Sequence, residues 1–183
     1  MSQDSSSAAT RCALPPDCEK TNLGVAFFDL ARFASWSDSE QDELIAGFLQ
    51  QFYGLSARLL EGAGAQIVKF IGDGGLAVFP PASAETVVAG LDRLAEDARE
   101  LAGQCGLNTY LNINVHVGPV LAGSFGPPGQ ERFDVIGKTV NVAARLGRRG
   151  MTLSPQAFRC LSAESRKQFQ KNMPPITYRR ATG

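Results

Sequence analysis

A ferredoxin-like α+β sandwich, a βαββαβ core with C-terminal additions, is the fold this sequence predicts, and three observations predict it. Two stretches carry apolar residues at helical spacing, four short segments read as strands, and two of those strands close on the glycine turn IGDG at residues 71–74. Their order is strand, helix, strand, strand, helix, strand, which gives an antiparallel sheet with two helices on one face. At 183 residues and 44% hydrophobic composition, the chain can bury the core of one domain.

Residues 1–21 are rich in Ser, Pro and Ala and lack periodicity. They read as a flexible tail or the remnant of a linker, leaving 22–183 as the domain. LGVAFFDL (23–30) is almost wholly apolar, as in a strand buried on both faces. Ser37 or Ser39 is placed to cap the following helix, where Leu44, Ile45, Phe48, Leu49, Phe52, Leu55, Leu59 and Leu60 recur at helical spacing to about residue 61. Gly62 and Gly64 stop it. AQIVKF and GLAVFP form a hairpin around IGDG, and Pro80-Pro81 ends its second strand. Residues 83–103 carry Val87, Val88, Leu91, Leu94, Ala98 and Leu101 on one helical stripe. In TYLNINVHVG (109–118), Leu111, Ile113, Val115 and Val117 alternate with Asn112, Asn114 and His116, the pattern of a half-buried strand. A Gly/Pro-rich segment follows (SFGPPGQER), then a short strand (FDVIG), a helix (TVNVAARLG), and a strand, helix and final strand within MTLSPQAF and PPITYRR.

Composition excludes several classes. Lys plus Arg and Asp plus Glu are each 18, so no global basic field argues for nucleic acid, although Arg145, Arg148 and Arg149 make a local cluster. Cys12, Cys18, Cys105 and Cys160 form no CxxC or CxH pattern, which argues against zinc and for reduced thiols. The polar N-terminus lacks a signal peptide's apolar stretch, and no apolar run is long enough to cross a membrane. A cytoplasmic protein with no membrane or nucleic-acid partner is the expectation.

Two carboxylates stand out. Asp29 lies at the end of the first strand, and Asp73 sits in the glycine turn. In this topology those strands are neighbours, so both carboxylates can reach one sheet edge. Paired oxygen donors beside glycine backbone and a helix start suit hard cations and a phosphate chain. Taken singly, Asp29 is explained as a helix cap and Asp73 as a turn residue; the metal reading rests on the two together.

Three ordered blocks carry a family resemblance. FFDLARFASWSD resembles the first metal motif of class III nucleotidyl cyclases, VKFIGDGGLAVF resembles their second, and VHVGPVLAGSFGPPGQERFDVIGKTVNVAARL is similar to their third block. The match runs from about residue 23 to 147. It implies that Asp29 and Asp73 bind two divalent cations, Mg²⁺ or Mn²⁺. It implies that Lys69 and Asp134 read the base, and that Asn141 and Arg145 hold the ribose and the transition state. Backbone at Leu30, Ala31, Arg32, Phe33 and Gly72 would approach the phosphates. The resemblance also implies a homodimer with two shared sites. The aspartates come from one subunit, and Lys69, Asp134, Asn141 and Arg145 from the other.

The base pair of residues has its own logic. Lys only donates hydrogen bonds and a carboxylate only accepts them, which complements the N1 acceptor and N6 donor of adenine. Guanine presents the reverse. The expected activity is therefore an adenylate cyclase that converts ATP to 3′,5′-cyclic AMP and pyrophosphate. A weak or inactive nucleotide-binding and dimerisation module is the alternative, and a guanylate cyclase stands behind it. Asn141 and Arg145 are spaced i, i+4 and so would share one helix face. His116, the sole histidine, receives no catalytic role.

The chain departs from the family pattern in three places. Arg32-Phe33-Ala34 stands where the family usually shows Gly-Phe-Thr; Arg32 either crowds that turn or adds a phosphate contact. GRRGMTL is an abbreviated link, and Lys138 replaces a commoner Asp or Asn. The family's C-terminal triphosphate Lys has only Lys171 as a candidate here, with spacing that does not fit cleanly. A regulatory partner or upstream sensor is left unnamed by the sequence.

Overall fold

A computed structural model describes residues 14–15, 17–147 and 149–181. The tail expected at 1–21 lies mostly outside them, as do Cys12 and Arg148. The strands are β1 (Glu19–Leu30), β2 (Gln66–Ile71), β3 (Gly74–Phe79), β4 (Leu111–Phe125), β5 (Arg132–Ile136), β6 (Met151–Leu153), β7 (Phe169–Asn172) and β8 (Thr177–Arg180). The helices are α1 (Phe33–Ser37), α2 (Asp42–Gly62), α3 (Ala84–Gln104), α4 (Lys138–Ala143), α5 (Pro155–Arg159) and α6 (Ala163–Arg166). They build one sheet in the order β2-β3-β1-β4-β6-β8-β7, with β5 paired to β4. The β2-β3-β1-β4 portion is antiparallel throughout, and β6 joins β4 in parallel. This is the predicted α+β sandwich.

The strand alternation sorts apolar side chains to two faces. Ala26, Phe28, Ala77, Phe79, Ile113 and Val115 meet the stripes of α2 (Phe48, Phe52, Leu60) and α3 (Val87, Leu91, Leu94, Ala98) in the main core. Burying each large side chain is worth about 1.5–3 kcal/mol, so this layer dominates stability. Val25, Leu76, Val78, Val120, Ala122 and Val135 point the other way, into a smaller cluster with Ala143 of α4.

Several expectations change. β1 begins at Glu19, inside the expected tail, because Glu19–Asn22 pair with Ala122–Pro119 although polar. Ser37 and Ser39 do not cap α2: each hydroxyl donates backward, to the carbonyls of Ala34 and Trp36, both at 2.9 Å. The separate helix α1 intervenes and α2 starts after Gln41. β4 is longer than 109–118, and it is not half-buried: Asn114 and His116 are only 6% and 9% exposed. Gly147 and Ser154 meet the polar side chains on the side predicted to be wet, and Asn114 Nδ2 donates to the Gly147 carbonyl at 3.0 Å. α6 and β7 carry too little periodicity to be read beforehand.

His116 is hydrogen-bonded through Nδ1 to Ser154 Oγ at 2.8 Å, and burial pushes its imidazole below the ordinary value. An unfolded chain protonates this group near about pH 6.5, whereas the folded protein resists. Its stabilisation is therefore complete above that pH and is lost as pH falls toward the folded value. The unfolding free-energy difference between wild type and His116→Gln should shrink as pH drops from about 7 to about 5. Urea titrations at several pH values would read it, and a pH-independent difference would contradict it.

Candidate active site

The two carboxylates converge as the topology requires. Asp29 on β1 lies opposite Gly74 of β3 on one side and Asn112 of β4 on the other. The Leu30 N–H donates to the Asp73 carbonyl at 3.1 Å, fastening the glycine turn to the end of β1. A Cβ on Gly74 would sit 2.3 Å from the Phe28 carbonyl oxygen and 3.0 Å from Asp29 Cβ, and a Cβ on Gly75 would sit 2.5 Å from the Phe28 ring. Glycine there lets the hairpin close on Asp29. Tyr53 of α2 stacks on Phe70 at 4.1 Å between ring centroids and donates its hydroxyl to the Gly72 carbonyl.

Burial raises the Asp73 carboxyl above its ordinary range; a hydrogen bond from its own backbone N–H pulls the other way, and the Asp29 charge adds to the rise. Burial, then the Asp73 charge, also raises the Tyr53 phenol. Two all-oxygen donors that repel each other form a site that a hard divalent cation would relieve. Among the described residues no group of three or more His, Cys, Asp or Glu side chains converges, so the remaining ligands of a cation would be backbone oxygen, water or substrate phosphate.

The turn after Asp29 narrows the expected phosphate cradle. The Leu30 and Ala31 N–H groups are already bonded, to the Asp73 and Tyr110 carbonyls at 3.1 and 2.9 Å, so they are not free donors. Arg32, Phe33 and Gly72 have N–H groups with no backbone acceptor among the described residues. Arg32 adopts φ 66°, ψ 9° and is the only non-glycine residue with positive φ among those described. A left-handed backbone costs a side-chain-bearing residue about 1–2 kcal/mol, and glycine's extra unfolded-state freedom offsets about 0.5–1 kcal/mol of the relief. Arg32→Gly should thus stabilise the protein by about 0.5–1 kcal/mol, read by urea unfolding. A loss of stability would mean that the guanidinium has packing value in the free protein.

Lys69 and Asp134 meet across β2 and β5: Nζ to Oδ2 is 2.5 Å, with the side chains 44% and 27% exposed. A bulge between Ile67 and Lys69 shifts the β2 register just before the Lys. The Val135 N–H donates to Asp134 Oδ1 at 2.8 Å and holds the carboxylate in place. Asn141 is exposed on α4. Arg145 is exposed too, but it lies beyond the end of α4, its N–H donating to the Val142 carbonyl at 3.1 Å. The i, i+4 helical spacing expected of Asn141 and Arg145 is therefore corrected to one helical residue and one in the following turn. No hydrogen bond or ion pair among the described residues links the Asp29–Asp73 pair to Lys69–Asp134. Lys171 lies on β7, at the opposite sheet edge from the β2–β3 hairpin.

Sequence reasoning missed Tyr53 and Asn112. The signals were present: a tyrosine hydroxyl on the otherwise mostly apolar α2, and the polar half of the β4 alternation.

The adenylate and guanylate cyclase catalytic domain family matches residues 17–175. The chain belongs to this family. Among relatives of this cyclase domain, the photoactivated adenylate cyclase subunit alpha-like protein FB of Euglena gracilis is 32% identical over 134 residues, covering 70% of this chain and 13% of that protein. An adenylate cyclase of Anabaena cylindrica is 27% identical over 132 residues, 68% of this chain and 26% of that protein. The chain thus spans a minor part of these relatives. Solved structures share the fold. The guanylyl cyclase Cya2 superposes with TM-score 0.78 at 20% identity, over 90% of this chain and 94% of that one. The adenylyl cyclase CyaB from P. aeruginosa gives 0.76 at 18% identity, over 91% and 97%. Cyclases of this class use divalent cations, in keeping with the oxygen-only donors here. Among the described residues no helix is long and apolar enough to cross a membrane.

Proposed function

We propose that this cyclase domain is an adenylate cyclase, forming cyclic AMP and pyrophosphate from ATP at two sites shared across a homodimer in the cytoplasm. The observation that supports ATP over GTP best is the contact between Lys69 and Asp134. N1 and the N6 amino group are neighbours on one edge of adenine, and this pair offers a donor and an acceptor side by side.

The residues divide the work. Asp29 and Asp73 would hold two divalent cations, Mg²⁺ or Mn²⁺, whose chemistry when bound is to acidify the ribose 3′-hydroxyl and neutralise the triphosphate. Arg32, Phe33 and Gly72 offer N–H groups to the phosphates. Asn141 orients the ribose so that its 3′-oxygen faces the α-phosphorus. Arg145, with no ionic partner among the described residues, is free to bind the charge that grows on the α-phosphoryl oxygens as the 3′-oxygen bonds to phosphorus and pyrophosphate departs. No protein nucleophile is required.

The second reading is a cyclase-like module that binds nucleotide and dimerises without useful turnover, and the left-handed Arg32 in the phosphate turn favours it. Product analysis separates them. Pure protein is incubated with ATP or GTP and Mg²⁺ or Mn²⁺ at several protein concentrations, and cyclic nucleotide is measured by chromatography. Cyclic AMP with specific activity rising with protein concentration supports the dimeric cyclase. No cyclic product from a folded dimer supports the module, and cyclic GMP alone overturns the assignment of the base.

A further inference from the structure

We propose that Asn112 is a positioning residue that sets which face of the Asp29 carboxylate is offered to a cation; this rests on the metal-binding reading of Asp29. Asn112 is the cross-strand neighbour of Asp29 on β4, and its Nδ2 donates to Asp29 Oδ2 at 3.1 Å. On the opposite side of Asp29 lies Gly74, which has no side chain to lean on. The carboxylate therefore has a polar side chain beside it on β4 and only glycine backbone beside it on β3. One oxygen is tied to the amide while the other remains for a ligand on the turn side.

The Asn112 amide makes no other hydrogen bond among the described residues. Its Oδ1 is buried and without a hydrogen bond, so the single bond to Asp29 fixes the amide orientation. Turning the amide over would press its carbonyl oxygen against the carboxylate. The chemistry of the donor matters as well. A neutral amide orients a carboxylate without neutralising it, whereas a cationic side chain would pair with it and compete with the metal. Groups that hold a ligating carboxylate in this way typically change metal affinity by about 10–100-fold when removed.

The test is Mn²⁺ binding to the nucleotide-free full chain, followed by the EPR signal of free Mn²⁺, for wild type, Asn112→Leu, Asn112→Gln and Asp29→Ala. Asn112→Leu keeps the side-chain size and removes the donor; it should weaken Mn²⁺ binding by about 10-fold. Asn112→Gln, which restores a donor on a longer arm, should recover part of the loss. Circular dichroism and thermal unfolding establish that each variant is folded, and Asn112→Ser serves if the leucine variant is not. Mn²⁺ binding within about twofold of wild type in Asn112→Leu, with binding lost in Asp29→Ala, overturns the positioning role and leaves the metal site standing. A wild type that binds no Mn²⁺, or an Asp29→Ala protein that binds it undiminished, overturns the carboxylate site and the role of Asn112 with it.

Discussion

Asp73→Ala and Arg145→Ala are each expected to be inactive as pure proteins and to regain activity when mixed. Asp73 lies beside Asp29 at the β1 edge, and on the metal-binding reading its loss removes a cation ligand. Arg145 is the exposed guanidinium assigned to transition-state charge, and removing such a group costs about 10²–10³-fold in turnover. If each site takes its aspartates from one subunit and its arginine from the other, a mixed dimer holds one site with both groups and one with neither. Random pairing makes half of the dimers mixed, so an equimolar mixture should reach roughly one quarter of wild-type activity. Sedimentation would establish that the mixed dimer forms. No recovery in a mixture that demonstrably exchanges subunits would contradict the shared site, and near-wild-type activity in either pure variant would contradict that residue's role.

The sheet was legible where the sequence speaks in apolar runs. β1 and β3 are continuous apolar runs because they feed clusters on both faces of the sheet, and α2 and α3 carry periodic stripes because each buries one face in the main core. The GDGG turn was legible for a steric reason, since side chains at Gly74 and Gly75 would collide with Phe28. The start of β1 and the whole of β7 were not, because the ladder recruits Glu19, Lys20, Gln170 and Lys171 through backbone hydrogen bonds, which leave no trace in composition. β4 was read as half-wet because alternation reports side-chain polarity rather than solvent. His116 and Asn114 are polar and buried together because Ser154 and Gly147 supply their partners from distant sequence.

The site divides in the same way. Asp29 and Asp73 could be paired from topology alone, because strand neighbours bring their ends together. Lys69 and Asp134 are 65 residues apart and required the family resemblance; β5 crosses to β2 with no local signal. The braces Tyr53→Gly72 and Asn112→Asp29 are cross-element contacts that periodicity cannot report. The Arg32 turn stands out in the sequence as a departure, but its cost becomes specific only with the left-handed backbone at φ 66°.

Exchanging the charges, Lys69→Glu with Asp134→Lys, should turn nucleotide preference from ATP toward GTP. The acceptor would then stand where adenine offers N1 and the donor where it offers N6, so both contacts are mispaired. Each mispaired polar group costs about 1–3 kcal/mol, and two together predict a loss of roughly 30-fold to 10⁴-fold in kcat/KM for ATP. Guanine has an N1–H donor and an O6 acceptor on the same edge, and the exchanged pair matches both. The fold should tolerate the change. The pair remains oppositely charged, is partly exposed, and contributes at most about 1 kcal/mol. Lys69→Glu alone sets two carboxylates face to face and should lose ATP activity without gaining GTP activity. The measurement is kcat/KM for both nucleotides in the wild type, both single variants and the double variant. A double variant that still prefers ATP would remove Lys69 and Asp134 from base recognition. One that loses both nucleotides while remaining folded and dimeric would confine them to holding β2 against β5. A reversed preference would tie specificity to these two side chains, independent of the backbone that carries them.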